Sequence, residues 1–294
     1  MTHHPAKSAN PNTHKIQQAV KWTVYALLII NFVFYILEDW NKAVHTLHAG
    51  STFLDWAGEF AVSIDETGWF LLLVMFELET YVIADEDLKS WVARTLHGVR
   101  LLCYVLLAHT VYAYTMVVIG LMPTVAVEEI SDLCDLANAD VSYVYNLEYT
   151  EVTDQTCGEL SDASQFYRIA EDPVVSDMAG LKLERHLAWV DLFEAVVWLL
   201  ILLAIEIVVR LQNRGVTGGA LISIANASQI FLYLTLIAFS TYWATLSHWL
   251  YVWDEFVWIA GFAAIEMNIS NWRDELLEDK DMSLGEDGPV GVRT

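Results

Sequence analysis

The sequence predicts an all-α, polytopic integral membrane protein with six transmembrane helices, and three observations support this fold class. Of the 294 residues, 55% are hydrophobic, which exceeds the roughly 45–50% of soluble domains. Basic residues concentrate in alternate connecting segments, as the positive-inside rule requires. Six apolar runs are long enough to cross a hydrocarbon core of about 30 Å. They lie at about residues 20–37, 66–84, 96–121, 187–210, 219–245 and 248–268.

The segments outside these runs have distinct compositions. Residues 1–19 are polar and indicate a disordered cytoplasmic tail. Apolar residues at helical spacing predict a short helix at about 53–64 in the outer membrane interface. An acidic loop at 122–186 separates spans three and four, and its segment VSYVYNLEYTEV alternates as a β-hairpin does. Residues 271–294 form an acidic cytoplasmic tail.

The distribution of basic residues predicts that both termini are cytoplasmic. In that orientation eleven Lys and Arg residues lie inside and four lie outside. The acidic loop then faces outward, with fourteen acidic residues against three basic ones in 124–186. It contains Cys134 and Cys157, and an oxidising compartment would favour a disulfide between them. We therefore expect the inner membrane of a prokaryote, with this loop outside.

The net charge of −23 restricts the classes of partner. Nucleic acids and anionic lipid surfaces are bound by basic patches, so neither is expected here. The lipid bilayer is the partner that the apolar runs require. A homo-oligomer or another membrane protein is also compatible with the sequence.

Three spans share a spacing of an acid, a Trp four residues later and a Glu eight residues after that. Each deep Glu lies about 18 Å along its helix from the acid, at 1.5 Å per residue, and an acid at that depth is costly unless it has a function or a partner. The spacing suggests three related helix hairpins whose carboxylates converge. An acid favoured by a helix N-terminus and a Trp in the interface belt are, however, common features. The three sets are Asp65–Trp69–Glu77, Glu194–Trp198–Glu206 and Asp254–Trp258–Glu266.

The leading functional prediction is a cation channel or transporter for H⁺, Na⁺ or a divalent metal. Asp65, Glu194 and Asp254 would form an outer ring that attracts the ion, and Glu77, Glu206 and Glu266 would form the inner site. The alternative is a non-catalytic scaffold or accessory subunit, in which the acids make structural ion pairs such as Glu206 with Arg210. Further relay or ion-pair candidates are Glu79, Arg100 and His109.

Leu203–Leu211, LAIEIVVRL, is similar to the second helix of voltage-sensor domains, where an acid and a following Arg lie near the inner end. No later helix carries Arg at every third position, so the similarity implies only an ion pair at the inner end. No cofactor is predicted, although haem ligated by His109 and His248, or a bound cation, remains an alternative. Motifs for metalloproteases, serine hydrolases and phosphate binding are absent from the sequence, so we do not expect an enzyme.

Overall fold

The computed structural model describes residues 11–78, 91–170, 172–214, 216 and 218–262, and these are mostly helical. Four of the described helices are long and apolar enough to cross a membrane, as a multi-pass membrane protein requires. The helices are α1 (Pro11–Thr46), α2 (Phe53–Glu59), α3 (Ala61–Glu77), α4 (Trp91–Leu121), α5 (Cys157–Leu160), α6 (Met178–Asn213), α7 (Ala220–Thr245) and α8 (249–262).

The four apolar helices correspond to the first, third, fourth and fifth predicted spans. Their apolar segments are Gln18–Thr46, Arg94–Leu121, Met178–Leu211 and Ala220–Thr245. The second and sixth predicted spans begin as α3 and α8, but their remaining parts lie in 79–90 and 263–294, outside the described residues. Six spans with both termini inside therefore remain a prediction.

Helices α1 and α6 are longer than the sequence predicted. Each has 36 residues, or about 54 Å at 1.5 Å per residue, well beyond the hydrocarbon depth. Within the described residues, helix α1 extends from Pro11. The expectation of a disordered tail is therefore wrong for 11–19, while residues 1–10 lie outside the described part.

Helix α6 takes up residues that were expected to belong to the acidic loop. The loop ends at Asp177, because this side chain caps the first turn of α6 through the Gly180 N–H at 2.8 Å. Burial alone would raise the pKa of Asp177, but the hydrogen bonds from Gly180, Ser161 and Tyr143 hold it below its ordinary value. The boundary expected at residue 186 is thus nine residues too late.

Helix α2, in contrast, is shorter than the predicted helix at 53–64. A capping box between Thr52 and Asp55 starts it, and these hydrogen bonds, from the Thr52 backbone first, lower the pKa of Asp55. It ends at Glu59, because the backbone changes direction at Phe60 and the chain continues as α3 from Ala61. The expected single helix at 53–64 is therefore two helices.

The segment predicted as a loop folds into a small sheet domain, so an all-α fold class is incomplete. Its five strands lie in the order β1-β4-β5-β2-β3, with β2 and β5 parallel and the other pairs antiparallel. The strands that the sequence did not predict, β1, β4 and β5, have only two to four residues, too few for a clear alternating pattern. The strands are β1 (Val125–Ala126), β2 (Ser142–Tyr145), β3 (Glu148–Glu151), β4 (Phe166–Arg168) and β5 (Val174–Asp177).

The predicted hairpin is the pair β2 and β3. Its two-residue turn is Asn146-Leu147, and both residues have positive φ, 57° and 60°. This is the type I′ geometry that fits the twist of a hairpin. The left-handed conformation is unfavourable for Leu147, and its N–H donates to Glu184 Oε1 on α6 at 3.1 Å. The turn is therefore held by a helix of the membrane-embedded part.

Two apolar cores and one disulfide stabilise the sheet domain. One core lies within the domain and includes Leu133, Phe166 and Val175. The other joins the sheet to α4 and α6, and includes Val144 and Leu181. The predicted disulfide between Cys134 and Cys157 is present and connects the 3-10 turn at Leu133–Leu136 to α5.

The chain forms two compact units. The first consists of Met1–Asn31 and Val197–Thr294, and the second of Phe32–Val196. Helices α1 and α6 each contribute to both units. The sheet domain, α2, α3 and α4 belong entirely to the second unit.

Candidate cation site

A buried aspartate joins α1 to α3 in the second unit. Asp39 Oδ2 accepts a hydrogen bond from the Ser63 N–H at 2.9 Å and another from the Ser63 hydroxyl at 2.7 Å. Ser63 lies in the first turn of α3, whose N–H groups have no partner within the helix. Asp39 therefore caps α3 from a neighbouring helix and brings a carboxylate to the start of α3.

One turn further along α1, Lys42 lies between the helices and the sheet domain. Its Nζ is 3.2 Å from Glu59 Oε2 at the end of α2. Asp39 and Tyr149 of β3 are also close enough to interact with the ammonium electrostatically. The side chain of Lys42 is 34% exposed and that of Glu59 is 17% exposed. The pair thus lies at an edge that solvent reaches in part.

Asp65 lies in α3 and contacts hydrogen-bond donors on two helices. Trp69 Nε1 donates to Asp65 Oδ2 at 2.9 Å, and the hydroxyl of Thr110 on α4 also donates to the carboxylate. The phenol of Tyr114, one turn beyond Thr110, lies within electrostatic range of Asp65 and Asp39. The sequence placed Asp65 in a carboxylate ring, and the structure places it beside α4.

Helix α6 adds three further acids to the same region. Tyr114 is also in range of Asp191 and Glu194, and Asp191 is in range of Glu184 and Lys42. We call the following set the carboxylate cluster: Asp39 of α1, Glu59 of α2, Asp65 of α3, and Glu184, Asp191 and Glu194 of α6, together with Lys42 and Tyr114.

The carboxylate cluster contains six acids and one lysine. Burying uncompensated charge in an apolar bundle is costly, so buried acids are expected to be paired, protonated or bound to a cation. Carboxyl groups held close to one another favour a bound proton or cation, and this makes the cluster suited to bind and release positive charge.

Polar groups continue from the cluster toward the surface of the sheet domain. Asp172 interacts electrostatically with Glu59, Lys42 and His48. Burial raises the pKa of Asp172 to about 6, and the charge of Glu59 adds to this effect. Burial likewise raises the pKa of Tyr149, which keeps this phenol neutral beside Lys42. Asp172 is therefore a group that exchanges protons near neutral pH at the edge of the cluster.

The predicted site residues of the first unit have individual partners. Glu206 Oε2 lies 3.3 Å from Arg210 Nε one turn later, which is the ion pair that the scaffold alternative anticipated. Asp254 accepts a hydrogen bond from the amide of Asn31 on α1. Its buried neighbour Glu255 accepts one from Trp198 Nε1 at 3.3 Å.

Each of the two predicted rings has members in both units. Asp65 and Glu194 belong to the carboxylate cluster, whereas Asp254 belongs to the first unit. Of the deep acids, Glu77 ends α3 in the second unit and Glu206 lies in the first. Glu79 and Glu266 lie outside the described residues, so convergence of the deep acids remains a prediction.

The tryptophans of the shared spacing donate hydrogen bonds to acids. Trp69 donates to Asp65, the acid four residues before it in the repeat. Trp198 donates to Glu255 on α8, an acid outside the repeat.

The remaining candidates, Arg100 and His109, both lie on α4. The ring of His109 lies 6.4 Å from that of Tyr112, measured between centroids. His109 is in the second unit and His248 in the first, so haem ligation by this pair remains untested. Among the described residues, no group of three or more His, Cys, Asp or Glu side chains is arranged to hold a metal ion.

Sequence reasoning missed six members of the carboxylate cluster: Asp39, Lys42, Glu59, Tyr114, Glu184 and Asp191. Two local spacings carried a signal. Asp39 and Lys42 are three residues apart and therefore lie on one face of α1, beyond the end of the first apolar run. Asp191 has the same relation to Glu194 on α6. Nothing local indicated Glu184, because its partner Leu147 is a turn residue 37 positions away.

The chain matches no protein-family model, and no curated protein or solved structure matches it.

Proposed function

We propose that this protein moves cations across the membrane, as a channel or transporter, and that the carboxylate cluster is where a cation enters. The observation that carries this proposal is the gathering of six acids from α1, α2, α3 and α6 about Lys42 and Tyr114, within the described part of the chain. Asp172 lies at the edge of the cluster and is half-buried, so the cluster contacts solvent there. The topology we propose has six spans with both termini in the cytoplasm and the sheet domain outside, in the inner membrane of a prokaryote.

The proton is the cation best supported. Tyr114, Thr110 and Ser63 bring hydroxyl groups to the carboxylates, and such groups pass protons through hydrogen bonds. Buried carboxyls close to one another also retain protons more readily than exposed ones. Na⁺ and divalent metals are the other cations that carboxylate oxygens favour.

Asp65→Asn tests the proposal because it removes a charge and keeps an oxygen that can accept from Trp69 and Thr110. We expect proteoliposomes of this variant to lose most of the proton flux of the native protein, read with a pH-sensitive dye trapped inside. The melting temperature in detergent should change little. Parallel ²²Na⁺ uptake measures whether a metal cation moves instead.

Asp154→Asn is the matched control, because Asp154 is an exposed acid of the sheet domain. This variant has the same change of charge and should keep native flux. Equal flux in the native protein, Asp65→Asn and empty liposomes would contradict a transport function.

The second candidate is a scaffold or accessory subunit that binds other membrane proteins. The Glu206–Arg210 ion pair and the folded sheet domain favour it, because both are features that a non-transporting protein also uses. In that case Asp65→Asn changes stability or assembly, and the native protein carries no flux.

A further inference from the structure

Lys42 interacts electrostatically with acids of several structural elements. Its Nζ contacts Glu59 directly at 3.2 Å. It also interacts electrostatically with Asp39, Glu184, Asp191 and Asp172. These acids come from α1, α6 and the sheet domain, so the ammonium lies where acids of several elements meet.

The position of Lys42 allows its ammonium to leave. The side chain is 34% exposed, and a lysine ends in a compact charge on a flexible four-carbon stem. Among the described residues, Lys42 forms an ion pair only with Glu59. Glu59 is the last residue of the seven-residue helix α2.

We infer that Lys42 is a tethered counter-ion that occupies the place of a monovalent cation, and that it determines which cations the carboxylate cluster admits. An ammonium and a monovalent metal ion carry the same charge and both bind carboxylate oxygens. An external cation therefore reaches Glu59 and Asp39 only when the ammonium moves away. The role in selectivity rests on the proposed function, whereas occupancy by a cation does not.

The test is to remove the ammonium and offer Na⁺ in its place. Purified Lys42→Gln is melted in detergent in NaCl and in N-methylglucamine chloride at equal ionic strength. A ligand that binds only the folded state stabilises it, so Na⁺ at 100 times its Kd should raise the melting temperature by roughly 5 °C. The native protein and Lys42→Arg should show no such shift, because their cation is covalently attached.

The double variant Lys42→Gln/Glu59→Gln removes both charges of the pair and should lose the response to Na⁺. Equal melting of Lys42→Gln in the two salts would overturn the inference, as would the same Na⁺ shift in the native protein. If Lys42→Gln fails to fold in either salt while the double variant folds, Na⁺ does not replace the ammonium and the inference is again wrong. If both variants fail to fold in either salt, Lys42 is structural and the inference falls.

This experiment reads binding and not flux. A native protein without flux together with Na⁺-dependent melting of Lys42→Gln would refute the transport proposal and leave the cation site in place. If the native protein carries flux but the melting temperature of Lys42→Gln does not depend on Na⁺, the inferred cation site is refuted and the transport proposal is kept.

Discussion

Arg185 should be the residue that fastens α6 to the end of α4. Its Nε donates to the carbonyl of Leu121 at 2.6 Å, and its Nη2 donates to the carbonyls of Met122 and Pro123 and to the Thr124 hydroxyl. The last carbonyls of a helix have no donor within the helix. Arg185 of α6 therefore supplies the donors that the end of α4 lacks.

Arg185→Met removes these donors and keeps much of the apolar stem. The partly buried Nε bond contributes about 1.5–3 kcal/mol as a charge-assisted hydrogen bond, and the exposed Nη2 bonds together add about 1 kcal/mol. We expect a loss of about 3 kcal/mol in the free energy of unfolding, or a fall of roughly 6–12 °C in melting temperature. The assay is thermal unfolding in detergent, followed by near-UV circular dichroism.

Lys182→Met is the matched control, because Lys182 is an exposed cation one turn earlier on α6. It removes the same charge and should change stability by no more than about 0.5 kcal/mol. Equal melting of the two variants would show that the carbonyls at the end of α4 do not depend on Arg185, and would refute the reasoning.

Three further predictions concern the sheet domain. Replacing Cys134 and Cys157 by Ser should destabilise it by about 3 kcal/mol, since the bridge closes a loop with a sequence separation of 23; unchanged melting of the double variant would contradict this. Leu147→Gly should stabilise the hairpin by about 1 kcal/mol, because glycine adopts the left-handed conformation without strain, and a lower urea midpoint would oppose it. The raised pKa of Asp172 means that the folded state binds its proton more tightly than the unfolded state. Stability should therefore fall as pH rises from about 4 to about 6, and Asp172→Asn should flatten this part of the melting profile. A profile that keeps the same slope in Asp172→Asn would show that other groups cause it.

Hydropathy predicted the helical framework because apolar length is a local property of the sequence. Four long helices lie where the apolar runs predicted them, and the hairpin followed from its alternation. The other three strands were missed because two to four residues carry too little pattern. Two helix ends differ from the predicted positions. Asp177 caps the start of α6, and the change of backbone direction at Phe60 ends α2.

The candidate site was harder to predict because its contacts join distant parts of the chain. The deep glutamates were predicted to be functional because a charged group is energetically costly inside a membrane. Glu206, however, forms an ion pair with Arg210 four residues later. Asp39 and Ser63 are 24 residues apart and on different helices, so no spacing rule connects them. Lys42 looked like an ordinary loop cation until the fold placed it beside Glu59.

The most direct test of the central claim uses Asp39→Asn. Asparagine keeps an oxygen that can accept from the Ser63 N–H and hydroxyl, so the cap on α3 is preserved, while the negative charge is lost. Proton flux into proteoliposomes and melting temperature are measured on the same preparation. We predict that flux falls about tenfold or more while melting stays close to native. Native flux in a folded Asp39→Asn protein would contradict the claim that the carboxylate cluster carries the cation.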